Sequence, residues 1–394
     1  MQFPERFSNL PAYAFPRLRA LLDHHQPGGD VLHMTIGEPK HAFPPMVTDL
    51  ITKHAAGFNQ YPPNDGAPEL FQAITDWVSR RYDVQLDPAT NLLSLNGTRE
   101  GLFNSCIALC PEAKGGKPAV LVPNPFYPVY AVAAAAVGAE PVFLPAIREN
   151  GYLPDYSALS DDILNRTTIA YICSPSNPQG SVATMEYWRD LLTLAEKYDF
   201  RVFADECYAE IYRTDPPPGI LQAVKEMGTD PDRVIAFHSL SKRSNLPGLR
   251  SGFAASGPNT IAALKQLRNY SGAPLPLPLQ LAAAEVWADE EHVIENRALY
   301  QEKFTVAQDI LGDVGGFQLP EAGFFLWMPV EDGEATALSL WQQSGVRVLP
   351  GAYFARESGG SNPGAGYIRA AMVAPLDEVA HGLTQIRRHV YGRG

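Results

Sequence analysis

A chain of 394 residues is too long for one ordinary hydrophobic core, so a large domain with a smaller one beside it is expected, and an apolar fraction of 45% is ample for both. A formal charge of -12 with no run of like charges argues against nucleic acid, which needs a clustered basic face; small molecules are the expected partners. Four cysteines are too few for a disulfide framework, no metal site is indicated, and no run is apolar enough for a membrane span, so a cytoplasmic protein is expected.

The N-terminus, "MQFPERFSNLPAYAFPRLRALL", carries an acid, prolines and arginines where a signal peptide needs an apolar core. Residues 1–44 read as an arm joining the smaller domain, and residues 45–285 as the large domain. There, "SLNGTREGLFNSCIAL" (94–109) sets Gly97 and Thr98 at the opening of a helix, where free N–H groups and the helix dipole favour an anion such as phosphate. On this stretch alone, Thr98 as a simple N-cap, with Glu100 in the first turn, is the plainer reading. The short runs "AVLVP" (119–123) and "PVFLP" (141–145) read as strands separated by a helix, "YAVAAAAVGA". Cys106 and Cys110, four apart in a helical pattern, read as core packing.

The next strand, "IAYIC" (169–173), runs into the polar turn "SPSNPQG" (174–180) with Asn177 before a proline. A helix, "MEYWRDLLTLAEKYD", leads to "VFAD" (202–205), whose Asp205 ends an apolar strand and needs a partner to stay charged; Tyr208 is close by. Then "VIAFHS" (234–239) ends in "SLSKR", and Lys242 emerges with Ser239, Ser241 and, before the strand "SGFAAS" (251–256), Arg250. On its own segment Lys242 is either a solvated charge or a partly desolvated, nucleophilic amine. Strands buried on both faces with intervening helices imply an α/β fold with a mainly parallel sheet. Residues 286–394 change pattern, to a long polar helix "EEHVIENRALYQEKFTVAQDIL", glycine-rich hairpin material "GGFQLPEAGFFLWMPV", and a closing helix from Leu376, which reads as a small α+β domain.

In an open parallel sheet, ligands collect beyond the carboxyl ends of the strands. Four such ends here supply an anion cradle, a polar asparagine, a carboxylate suited to a cationic ring nitrogen, and a lysine suited to bonding a carbonyl carbon. Those are the needs of pyridoxal 5'-phosphate.

The ordered set N-G-T-R-E, N-P-F-Y-P-V-Y, S-N-P-Q-G, D-E-C-Y, S-L-S-K and the late "YIRAA" resembles the class I and II aminotransferases of pyridoxal-phosphate fold type I, over nearly the whole chain. The resemblance implies a seven-stranded sheet in the large domain. It casts Lys242 as the lysine bonded to the cofactor, Asp205 as partner of its ring nitrogen, and Asn177 and Tyr208 as partners of its phenolic oxygen. Tyr127 falls where a ring stacks on the cofactor, a place where the family often has tryptophan. Gly97, Thr98, Arg99, Ser239, Ser241 and Arg250 match the phosphate side. Tyr61 matches a tyrosine that reaches the phosphate of a neighbouring subunit, which implies a homodimer with its sites at the interface. Arg369 matches the arginine that grips the substrate α-carboxylate, and Gly37 a glycine beside it; Asn177 also borders the substrate.

Within the family, "IGEPKHAFP" (36–44) and "SLSKRSNLPGLRSGF" look most like succinyldiaminopimelate aminotransferase of lysine biosynthesis, with glutamate as amino donor and 2-oxoglutarate as its keto acid. That substrate is long and anionic, so Lys40 and Arg243 are expected as additional substrate contacts. An aspartate, aromatic or LL-diaminopimelate aminotransferase, and a carbon–sulfur lyase of the same fold, share the catalytic set.

Overall fold

The expected strands form where β-branched and apolar residues run unbroken. In chain order, β1 is Leu32–His33, β2 Leu92–Asn96, β3 Ala119–Asn124, β4 Glu140–Pro145, β5 Thr167–Cys173 and β6 Arg201–Asp205. They are followed by β7 Val234–Ser239, β8 Ser251–Ser256, β9 Phe325–Pro329, β10 Val346–Arg347, β11 Leu349–Pro350 and β12 Tyr367–Ala371. The structure is a computed structural model describing residues 5–8, 10 and 13–392; the outermost parts of the expected N-terminal arm lie outside the described residues.

Seven strands make one sheet in the order β2-β8-β7-β6-β5-β3-β4. β8 is antiparallel to both neighbours, whereas β3, β4, β5, β6 and β7 pair in parallel. Side chains alternate between two cores: Val202 and Ala204 of β6 join one, Phe203 the other, and the same split places Ala236 and Phe237 of β7 on opposite faces. Every residue of β5 is buried, which is why its sequence is a continuous apolar run rather than an alternation. Helices cover both faces, among them Met185–Tyr198, which buries Trp188, Leu191 and Leu192 at helical spacing.

A second core gathers around the three-stranded sheet β11-β12-β9 and the helices Glu291–Leu311 and Leu376–Val390. The N-terminal segment enters this smaller unit through β1, which pairs in parallel with β10. The hairpin expected over residues 315–330 does not form. β9 pairs instead with β12, some forty residues onward, while the preceding glycine-rich stretch is loop with a bridge between Ala322 and Tyr212. Together these elements make the fold-type-I architecture, a large mixed sheet with a smaller domain beside it. Among the described residues no helix is long and apolar enough to cross a membrane.

Candidate active site

Strand order explains how residues so far apart in sequence meet. At one edge of the sheet, Asn96 of β2 pairs with Ser251 of β8, and Gly252 of β8 pairs with Ser239 of β7. Because β8 runs backwards, its beginning lies at the same edge as the ends of its neighbours. Gly97, Arg250 and Ser239 are therefore brought side by side, with Asp205 at the end of β6 and the Asn177 turn after β5 next along the edge.

The β2 end opens into the helix Thr98–Leu109. Gly97 has a φ of 76°, and a Cβ there would sit 1.9 Å from Arg250 Nη2, so only glycine lets the guanidinium lie against the turn. Arg250 donates to the carbonyls of Pro247 at 2.8 Å and Asn96 at 3.2 Å. Glu100, in the first turn of the helix, would repel an anion, but Arg268 holds it at 2.8 Å and is itself buried. Ser239 Oγ accepts the Ser241 amide at 3.1 Å and lies 2.9 Å from Ser241 Oγ. Arg99 donates to the Tyr127 hydroxyl at 2.5 Å, which fixes the ring of Tyr127 beside this turn.

Lys242 lies on a helix of four residues, Leu240–Arg243, that starts at Ser239. Its Nζ donates to the Gly37 carbonyl and lies 5.4 Å from the Phe324 ring centroid. Burial lowers its pKa to about 8, so an appreciable fraction of the amine is neutral near physiological pH. A Cβ on Gly37 would lie 2.3 Å from Phe325 Cζ, so the backbone approach needs glycine.

Asp205 is 6% exposed, and burial pushes its carboxyl above the usual range. It accepts from Tyr130 Oη at 2.8 Å and from the Cys207 amide at 3.3 Å, with no cation bonded to it among the described residues. A buried carboxylate of this kind calls for a positive partner. Tyr208 is buried edge-on to Phe324 and Phe325, and burial keeps its phenol protonated far above neutral pH.

Arg369, on β12, is 3% exposed with its guanidinium sandwiched between Phe325 at 4.0 Å and Phe354 at 4.1 Å. Nη1 donates to Asn177 Oδ1 at 3.1 Å and Nη2 to the Thr35 carbonyl at 2.7 Å, while Nε has no partner among the described residues. Burial lowers its pKa to about 9, so it remains a cation at pH 7, with no carboxylate paired to it among the described residues. The segment Thr35–Gly37 thus touches both the arginine and the lysine.

Pyridoxal phosphate fits this set. The glycine turn with Ser239, Ser241 and Arg250 suits its phosphate, the unpaired Asp205 a protonated ring nitrogen, and the neutral fraction of Lys242 its carbonyl carbon. The guanidinium of Arg369, which has no carboxylate partner among the described residues, suits a substrate carboxylate. Tyr130 and Cys207 were not singled out by sequence reasoning. Tyr130 lies in the first turn of the helix Val129–Ala136, and Cys207 Sγ lies 3.1 Å from Thr98 Oγ1; neither contact leaves a local signature.

Of the remaining expected residues, one is engaged elsewhere and two stand exposed. Arg243 does not face the substrate, contrary to expectation. It is 2% exposed and donates to the carbonyls of Val286 at 2.9 Å, Trp287 at 3.3 Å and Asp289 at 3.2 Å and to the Glu290 carboxylate at 2.9 Å, capping the helix Leu277–Ala288. A helical step beyond Lys242 points it to the opposite side. Lys40 is exposed and makes no hydrogen bond or ion pair among the described residues. Tyr61 is 99% exposed on a loop whose Asn64 bonds Asn269 at 3.0 Å, next to the equally prominent Tyr270.

Residues 29–386 match the family of class I and II aminotransferases. The solved aminotransferase from Neisseria meningitidis is 39% identical, with a TM-score of 0.91, covering 96% of this chain and 97% of that one. Aminotransferase AspB from Helicobacter pylori is 32% identical with a TM-score of 0.91 over all of both chains. Among curated proteins, an LL-diaminopimelate aminotransferase from Dehalococcoides mccartyi is 32% identical over 400 residues, 98% of each chain. A second from Moorella thermoacetica is 31% identical over 399 residues, again 98% of each. These relatives overturn the expectation of a succinyldiaminopimelate enzyme. The motifs behind that expectation border the cofactor and the α-carboxylate, which every aminotransferase must bind, and so do not report on the far end of a substrate. The chain belongs to the class I and II aminotransferases, a pyridoxal-phosphate-dependent family of fold type I.

Proposed function

We propose that this aminotransferase acts on LL-diaminopimelate, passing an amino group to a keto acid such as 2-oxoglutarate, in diaminopimelate and lysine metabolism. The observation that carries the substrate is similarity over 98% of the chain to LL-diaminopimelate aminotransferases; the observation that carries the chemistry is the half-buried Lys242 with the buried Asp205 and Arg369.

When bound, pyridoxal phosphate supplies a carbonyl carbon to take the amino group and a protonated ring to draw off electron density. Around it, Arg369 offers two N–H groups to the substrate α-carboxylate, held flat by its two phenylalanines. That fork presents the Cα–H to Lys242, whose neutral amine takes the proton and later returns it as general acid. Asp205 would keep the ring nitrogen protonated, Asn177 and Tyr208 would serve the phenolic oxygen, and Tyr127 would serve the ring. Gly97, Thr98, Arg99, Ser239, Ser241 and Arg250 would hold the phosphate. We assign Tyr61 to the phosphate of a partner copy, since its ring stands free of its own chain. The division into residues 1–44 with 286–394 and residues 45–285 belongs to the same reading.

Initial rates with LL-diaminopimelate, L-aspartate and L-phenylalanine, each against 2-oxoglutarate with glutamate as the measured product, test the substrate. LL-diaminopimelate is expected to give the largest kcat/KM. A larger value for aspartate or phenylalanine overturns the substrate while leaving the family in place.

A further inference from the structure

The helix carrying Lys242 is only four residues long, too short to hold itself. Its first turn is capped by Ser239, whose side chain accepts the Ser241 amide. Its last carbonyls need donors from elsewhere. Ser244 and Leu246 amides both serve Leu240. The carbonyls of Lys242 and Arg243 are served by one side chain, Asn296, whose Nδ2 lies 3.5 Å and 3.3 Å away.

Asn296 is buried on the long helix Glu291–Leu311, and its amide is oriented by what surrounds Oδ1. Asn245 Nδ2 donates to Oδ1 at 3.0 Å, and His41 Nδ1 lies 3.0 Å from it. On the other side of the imidazole, Lys303 Nζ lies 2.6 Å from His41 Nε2. An ammonium has only donors, so Nε2 must be the acceptor and Nδ1 must carry the proton. Lys303 is 2% exposed, and its only hydrogen-bond partner among the described residues is that imidazole. Every link is then satisfied in one direction: Lys303 donates to His41, His41 to Asn296 Oδ1, and Asn296 Nδ2 to the carbonyls of the catalytic turn. Burial lowers the pKa of His41, in keeping with a neutral ring.

We propose that Asn296 is a positioning residue for Lys242, and that the buried Lys303, donating to the half-buried His41, locks the imidazole tautomer that keeps the Asn296 amide turned toward the lysine's own carbonyl. The far end of His41's segment reinforces the aim, because Gly37, four residues earlier, accepts from Lys242 Nζ. The lysine is thus held at its backbone by the smaller unit's helix and at its tip by the N-terminal segment.

This inference rests on Lys242 being the reacting amine, so the test separates the two. The apo chain is mixed with free pyridoxal phosphate and the rate of covalent capture is followed by absorbance, alongside kcat and KM of the reconstituted enzyme. Asn296→Leu and Asn296→Asp, which both lose the amide donors, are expected to slow capture and lower kcat by about tenfold with KM unchanged. Asn296→Asp does so while keeping the acceptor for His41. His41→Leu follows the same course, and His41→Gln, whose amide can accept from Lys303 and donate to Asn296, returns most of the loss. Normal capture and kcat in both Asn296 variants, with only thermal stability lowered, overturns the positioning role. Failure of His41→Gln to recover more than His41→Leu overturns the tautomer lock. Undiminished capture by Lys242→Ala overturns the assignment of Lys242 instead.

Discussion

Lys242 shows how far a single residue can be read from its neighbours in sequence. Its place at a strand end is visible there, but its surroundings are not, since Gly37 and Phe324, which touch it, and Arg369, whose charge disfavours a second cation, are all distant in the chain. Burial has a stability consequence whose sign is fixed. With a folded pKa of about 8 against the ordinary 10.5, both states bind the proton below pH 8 and the cost of burying the charge is complete. Between these two values the unfolded state binds more protons, so stability rises with pH, and above the upper one the cost is gone. In the apo chain Lys242→Met is therefore expected to raise stability at pH 7 by about 3 kcal/mol. Denaturant melts should show that gain shrinking as pH rises through this window; a gain independent of pH would contradict the burial of a charged amine. Asp205 was legible for the same reason as Lys242, an acid closing an apolar strand. Its partner Tyr130 was not, because the contact is made across the sheet edge rather than along the chain.

Among the elements, β3 and β5 to β8 were legible because runs buried on both faces have a composition of their own, the half-buried edge strand β4 because of its short apolar run, and the helices between them because of their spacing. Strand direction was not: nothing in "SGFAAS" marks β8 as reversed, although that reversal is what brings Arg250 to the phosphate turn. Residues 315–330 misled for a related reason, since glycine and alternating apolar residues also suit a strand whose partner is far away. Arg243 belongs to this scale too. It ties the catalytic turn to the end of the helix Leu277–Ala288, where carbonyls are unpaired and the dipole is negative. Arg243→Ala leaves those buried carbonyls without a donor and is expected to cost about 3 kcal/mol of stability. KM for the amino substrate should stay the same; a raised KM at unchanged stability would return Arg243 to the substrate.

For the whole molecule, the fold and the aminotransferase chemistry were within reach of sequence because the cofactor-binding motifs span nearly the full chain. The substrate was not, because those motifs serve groups common to every substrate of the family. Tyr61, 99% exposed on its own chain, is the residue on which the proposed homodimer can be tested. Mixing Lys242→Ala and Tyr61→Ala chains under exchange conditions is expected to restore about a quarter of the sites, since one site of each hybrid dimer is intact. No recovery, with hybrid dimers present, would place Tyr61 in its own subunit's site, and full activity of Tyr61→Ala on its own would place it outside any site. The strand ends converge on Lys242, the amine proposed to engage the cofactor. The direct measurement is borohydride reduction of the pyridoxal-phosphate-loaded protein followed by peptide mass mapping. A single stoichiometric tag on Lys242 is predicted; a tag on another lysine, or none, would contradict the site.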